Sequence, residues 1–386
     1  MNLKKPLLLI LLLCALLPLL SPIASAEEDT DTAYGSTLPS EYLEFLERLP
    51  TEVREGLPDE IFSDDPATVA SALEEMSHLS YLIRTVLSLV GLELSEHTAM
   101  LASLAGLLLL SAILRALKSS LLKESVARAC TFLIDLAVLA TLLAVGYRTV
   151  SGVTDYFDTL NKLTASLLPL TGVLYAMGGN VTAAVTSSTG LSIFMTVMEE
   201  IVGMTVVPFC TLCLALTAIG SFDPALRVGT LLGTIKRNYT LMLTFLMMLL
   251  LAMLAMQTTL AARADTLAMR SVKFAAGNLI PVVGGSVSEL LRSVSAGVSY
   301  LRGTVGICAV LLLLLTLLPT LIRLLLLRLV WQIAATLADL LDCGNEKRLM
   351  EEFTSLCGYL IAAVSICSSV LLLSLTLFTR CASAIG

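Results

Sequence analysis

The side chains with the most chemical potential in this sequence are charges set inside apolar runs. Asp135 lies in the run 126–146, Arg115 in the run 98–117, and Arg128 stands close to both. A carboxylate in a lipid-facing segment needs a cation, so Asp135 is expected to pair with Arg115 or Arg128. Glu199 and Glu200 sit at the edge of a charge-free stretch, where such a pair either guards a pore or is solvated. Cys210 and Cys213 form a C-x-x-C inside another charge-free stretch. Redox or metal chemistry there would need polar access and further ligands, so small packing residues are the simpler reading. His78 and His97 are the only histidines; partner ligands are lacking nearby, and solvation is expected for both. The chain has no H-E-x-x-H, no G-x-S-x-G and no G-x-x-x-x-G-K-[ST]. No catalytic, metal-ligating or cofactor-binding residues are expected, and ATP hydrolysis is not expected of this chain.

Backbone breakers are a second class of candidate. Leu167-Leu168-Pro169-Leu170-Thr171-Gly172 matches Leu279-Ile280-Pro281-Val282-Val283-Gly284 at an offset of 112 residues. Each segment follows two apolar runs and precedes another, which suggests an internal repeat over 98–198 and 201–322; chance similarity between apolar stretches is the alternative. Proline removes a donor and glycine permits unusual dihedrals, so freed carbonyls can line a polar cavity in a transporter-type site. Candidate pore or packing residues are Pro169, Gly172, Gly178, Gly179, Asn180, Gly277, Asn278, Pro281, Gly284 and Gly285. The stretch 178–190 is dense in Gly, Ala, Ser and Thr, which allow close helix contact within membranes.

The elements that must position these residues are membrane helices. The 386-residue chain is 56% hydrophobic and 14% charged, against about 25% charged in soluble domains. The net charge of -7 averages two unlike regions. Residues 27–97 carry 17 acids against Arg48, Arg54 and Arg84, whereas residues 98–386 carry 14 acids and 19 bases. No basic block stands free of apolar runs, so nucleic-acid binding is not expected. Lys4 and Lys5, the apolar run 7–20 and Ala24-Ser25-Ala26 read as a signal peptide over residues 1–26, an uncleaved anchor being the alternative. Either way Glu27 emerges beyond the membrane, and 27–97 becomes an acidic extracytoplasmic segment.

Within that segment, residues 42–49 suit a short helix. Asp65 as N-cap and Pro66 at the first position open another. Val69, Leu73, Met76, Leu79, Ile83, Val86 and Val90 place one apolar stripe along it. Spans are expected at 98–117 and 126–146, two short ones in 163–198 around a Gly178-Gly179-Asn180 turn, then 201–220, 241–262, 303–322 and 353–379. Residues 263–302 suit a re-entrant loop, a broken helix or an interfacial helix, and 324–341 a marginal span. The basic connections at 118–128 and 223–237 should face the cytoplasm. The fold class is therefore all-α: a polytopic α-helical membrane protein with about seven spans, give or take one or two. Its domains are the signal 1–26, the acidic segment 27–97 and a multi-span membrane domain 98–386.

The stretch Val272-Lys273-Phe274-Ala275-Ala276-Gly277-Asn278-Leu279-Ile280-Pro281-Val282-Val283-Gly284-Gly285 resembles the K-F-x-x-G-N-x-I-P-V-V-G-G segment of the stage III sporulation protein AE family. The order of signal, acidic segment and spans resembles that family along the whole chain. The resemblance implies a non-enzymatic component of the channel between mother cell and forespore, a secretion-like complex that sustains forespore gene expression and endospore formation. It implies the mother-cell membrane facing the forespore as its place. Its implied partners are the lipid bilayer and other stage III sporulation membrane proteins of the same operon, with a separate ATPase supplying energy. The resemblance brings no cofactor and no catalytic residue. The alternative is a secondary transporter with its site at the repeated Pro/Gly segments.

Overall fold

The computed structural model describes residues 40–47, 57–118, 124–177, 205–222, 228–245, 247–249 and 284–383, with isolated positions at 38, 49, 54, 189–190, 192–193, 196–197 and 252. Among the described residues every regular element is a helix. They are α1 (Ser40–Glu47), a 3₁₀ turn (Asp59–Phe62), α2 (Pro66–Ser77), α3 (Leu79–Lys118), α4 (Glu124–Met177), α5 (Val207–Phe222), α6 (228–245), α7 (Gly284–Leu340) and α8 (Gly344–Ser383). The signal peptide, the Gly178–Asn180 turn, Gly277, Asn278 and Pro281 lie outside the described residues.

The start of α2 is the one read from its cap. The Asp65 carboxylate accepts from the backbone N–H of Ala67 and Thr68 at 3.3 and 3.1 Å, and from the Thr68 hydroxyl at 2.6 Å. These bonds satisfy donors that have no partner within the helix, and Pro66 has no N–H to satisfy. They also lower the Asp65 pKa, the Thr68 hydroxyl contributing most. The long apolar stripe, however, belongs to two helices rather than one. His78 takes an extended conformation and its N–H bonds back to the Glu75 carbonyl, closing α2. Val69, Leu73 and Met76 are buried, whereas Ile83, on α3, is exposed. The break lets α2 lie across the bundle while α3 runs along it. α3 passes position 98 without interruption, and His97 is buried, not solvated, its Nδ1 2.8 Å from the Glu93 carbonyl.

α4 is also longer than the charge pattern suggests. It runs 54 residues through 147–162, a stretch left outside the expected spans. Val150, Val153, Phe157, Leu160, Leu163, Leu167, Leu170 and Leu174 are buried at steps of three or four, and Arg148, Asp155, Asp158 and Lys162 fall on the opposite, exposed face. That arrangement is an amphipathic helix with no breaker. The helix also continues through Pro169, which leaves only the Ala165 carbonyl without its usual donor, so the 167–172 segment is not an interruption. Likewise 303–322 and 324–341 are not two elements but parts of α7, which carries Pro319 in its interior.

α3 and α4, α5 and α6, and α7 and α8 run antiparallel in pairs, and Arg115, Asp135, Gly220, Lys236 and residues 342–352 meet at one end. α7 and α8 pack along their length and are largely buried, while α3 exposes most of its apolar side chains. The segment around α1 lies toward the other end: the Tyr42 hydroxyl donates to the Ile61 carbonyl at 3.0 Å and lies 3.7 Å from Cys308 Sγ of α7. Among the described residues four helices are long and apolar enough to cross a membrane, within Ile83–Ala116, Asp135–Leu174, Thr304–Leu340 and Gly344–Thr376, and Val207–Gly220 is a shorter apolar helix. The expectation of about seven spans draws on stretches outside the described residues.

Candidate functional site

This end of the bundle holds a cluster of charges centred on the first two turns of α8. Its backbone is set by the reversal between α7 and α8. The Cys343 N–H bonds to the Ala338 carbonyl at 2.8 Å and the Asp342 N–H to the Asp339 carbonyl at 3.1 Å. This is a Schellman closure, and it puts Asp342 at φ 55°, a left-handed conformation that aspartate tolerates better than most residues. The chain turns within three residues, and Gly344 opens α8 with Asn345 and Glu346 facing back into the bundle.

Glu346 is the anchor. Its fully buried carboxylate accepts from Ser111 Oγ at 2.6 Å and from Arg115 Nη2 at 2.6 Å, while Arg115 Nη1 donates to the Asp342 carbonyl at 3.1 Å. α3 is thereby tied to both the turn and the start of α8. A buried carboxylate needs its lone pairs filled as well as its charge matched, and two 2.6 Å contacts do both. Asp135 on α4 completes the group. It lies beside Glu346, Arg115 and Asn345, and its Oδ1 is buried without a hydrogen-bond partner.

The next residues reach the remaining hairpin. Arg348 Nη2 donates to the Gly220 carbonyl at 2.8 Å, capping the C-terminal turn of α5 where a cation is favoured. A side chain at position 220 would stand 3.0 Å from that guanidinium, so glycine leaves room for it. Glu352 pairs with Lys236 of α6, and Lys347 reaches back to Asp339 of α7 at 2.7 Å. Residues 345–352 thus touch α3, α4, α5, α6 and α7. Below them Phe209, Tyr239 and Tyr359 stack into one aromatic cluster that joins α5, α6 and α8.

Of the residues singled out from sequence, Arg115 and Asp135 meet here, but the close partner of Arg115 is Glu346. Arg128 lies in an early turn of α4, and its side chain is outside the described residues. Pro169 is exposed, and a side chain at Gly172 would meet nothing within 4 Å. Gly284 and Gly285 open α7. Cys210 and Cys213 are buried free thiols in α5, and among the described residues no three His, Cys, Asp or Glu side chains converge as metal ligands. The missed residues are Ser111, Lys236, Asn345, Glu346, Lys347, Arg348 and Glu352. The signal for most of them was present in Asn345-Glu346-Lys347-Arg348 and Glu351-Glu352, a dense charge run between two apolar helices.

No solved structure matches the chain. The chain is similar to stage III sporulation protein AE of Bacillus subtilis (strain 168), with 23% identity over 354 residues, 92% of this chain and 85% of that protein. The family model described as stage III sporulation protein AE matches residues 68–382, a range that contains α3 to α7, all of α8 but its last residue, and the whole charge cluster. On that match the chain belongs to the stage III sporulation protein AE family.

Proposed function

We propose that this protein is a non-enzymatic integral membrane component of the mother cell-to-forespore channel, a secretion-like complex needed for forespore gene expression. It works there with other stage III sporulation membrane proteins, while a separate ATPase supplies energy. The observation that carries the reading is the use made of the buried charges. In the cluster, Glu346, Arg115, Arg348, Lys236 and Glu352 are spent on one another and on helix ends. Charges arranged this way fix helices into one body, as an assembly component requires. The transporter alternative draws on two Pro/Gly interruptions, and the helix through Pro169 weakens the first.

The same arrangement supports a topology. The end of the bundle where the cluster lies carries Arg115, Lys118, Lys236, Lys347 and Arg348, which favours the cytoplasm for that end. The acidic α1 and α2 then lie beyond the membrane, in the space between the two cells, and the six long helices cross in alternating directions. Affinity purification from sporulating cells, with identification of bound membrane proteins, tests the function. Recovery of sporulation membrane proteins is expected. Recovery of the chain alone, with saturable solute transport after reconstitution, would sink the proposal.

A further inference from the structure

The exposed stripe of α4 changes character partway along the helix. From residue 126 to 144 its exposed positions include Val126, Phe132, Leu133, Leu136, Ala137, Ala140 and Ala144. From 147 to 162 they are Tyr147, Arg148, Ser151, Asp155, Asp158 and Lys162. The apolar part covers about 30 Å of helix, one hydrocarbon thickness. Tyr147 is 74% exposed at the change, where tyrosine is favoured at a membrane–water interface. Beyond it α4 continues to Met177, roughly 45 Å further. In that part Leu160, Leu163, Leu167, Leu170 and Leu174 are buried against protein, and Leu168 is half-buried.

The arginines of α7 give an independent reading of the same level. The Tyr156 hydroxyl bonds Ser368 Oγ at 2.6 Å, which aligns α4 with α8. A side chain at Gly146 would meet Phe353, and the Arg328 guanidinium lies over Gly358, about 7 Å further along α8. Arg328 of α7 therefore lies about one turn beyond the level of Tyr147. Arg323, about 7 Å further along α7, is exposed. Both arginines lie at or past the level where the α4 stripe turns polar, and neither is left deep in hydrocarbon.

We infer that α4 leaves the bilayer at Tyr147, so that the far half of the bundle is a water-exposed helical body rather than membrane. That body comprises residues 148–177 of α4, the part of α7 before Arg323, the matching part of α8, and α1 and α2. Apolar stretches such as 163–177 and 304–322 form its core and cross no membrane. Partners at this face meet Arg148, Asp155, Asp158 and Lys162 in water, which suits exported soluble domains better than membrane helices. Its side of the membrane rests on the topology proposed above.

Single cysteines at Ser151, Asp155, Asp158, Ala137, Ala140 and Glu74 of the full-length chain, reacted in intact cells with a sulfonated, membrane-impermeant maleimide, test this. Ser151→Cys, Asp155→Cys and Asp158→Cys should label like Glu74→Cys on exposed α2. Ala137→Cys and Ala140→Cys should label roughly a hundredfold more slowly, the factor set by moving one charge to a bilayer centre. Protection of all three outer positions until detergent is added overturns the inference. Equal labelling of 137 and 140 also overturns it, because the stripe would then line a pore. Labelling of the outer positions only from the cytoplasmic side leaves the exit at Tyr147 standing and overturns the proposed topology instead.

Discussion

Removing the Glu346 carboxylate should cost more stability than any other single change in the charge cluster. Glu346→Ala deletes the acceptor of Ser111 Oγ and of Arg115 Nη2, both at 2.6 Å, and strands the arginine. Breaking a buried pair by removing one partner costs about 3–5 kcal/mol. Glu346 is 0% exposed but Arg115 is 32% exposed, so water can partly resolvate the stranded guanidinium. The lower end applies, about 3 kcal/mol, or roughly 150-fold in the folding equilibrium. Glu346→Gln keeps an acceptor but loses the charge, and neutral hydrogen bonds are about half as strong, so about half that loss is expected. Pairing Glu346→Ala with Arg115→Met should recover much of the loss, since no buried charge is then left alone. The assay is ready-made. The chain has a single tryptophan, Trp331, fully buried in α7 with its ring 5.5 Å from Phe353 of α8. Its emission should shift to longer wavelength as the α7–α8 hairpin opens in a mixed-micelle denaturant titration. The reasoning fails if Glu346→Ala unfolds within about 0.5 kcal/mol of the parent, the range of ordinary surface substitutions. It fails equally if Arg115→Met brings no recovery.

Asp135→Asn should leave stability unchanged or raise it by up to about 1 kcal/mol, because it removes a second carboxylate from beside Glu346 and puts an amide donor there; a loss above that size in the same titration would mean that Asp135, and not Glu346, neutralises Arg115. Gly146→Ala should cost about 1–3 kcal/mol by overpacking, since the new methyl would stand 2.9 Å from Phe353 Cε1 and 3.0 Å from a Leu214 methyl; unchanged Trp331 unfolding would show that α4 sits further from α8. The Asp65 pKa is lowered in the fold, so its capping contribution is fully present above the unfolded value of about 3.9 and fades as pH falls through the lower folded value. Amide exchange at Ala67 and Thr68 should therefore quicken at acid pH in the parent, and should show no such step in Asp65→Asn.

What the sequence made legible was local. The Asp65 cap and Pro66 at the first position of α2 are encoded within two residues. The apolar runs 98–117 and 126–146 announce themselves by their few charges. Helix continuity through 147–162 was encoded as well, since Arg148, Asp155, Asp158 and Lys162 follow steps of seven, three and four. Ending the expected span at 146 treated charge as a boundary, when charge on one face of a helix is only a change of solvent. The partner of Arg115 was harder. Glu346 lies 231 residues away, and the pairing depends on a three-residue reversal at Asp342 that has no glycine at its left-handed position. Pairing across that distance is a property of topology, and only the charge run at 345–352 hinted where it would end.

The position of that run in the chain sets an order of construction. Arg115 and Asp135 enter the membrane early, and Lys236 and the end of α5 follow. Their counter-charges Glu346, Glu352 and Arg348 are all on the last helix to be made. At about 5–20 residues per second, synthesis of the intervening chain takes roughly ten to fifty seconds. Throughout that interval the earlier hairpins hold charges that nothing yet neutralises. Completion of α8 therefore acts as the closing step of biogenesis. A ribosome that stops before codon 346 releases a chain with exposed intramembrane charge, the kind of defect that membrane proteases recognise, so only a full-length product would persist to join an assembly.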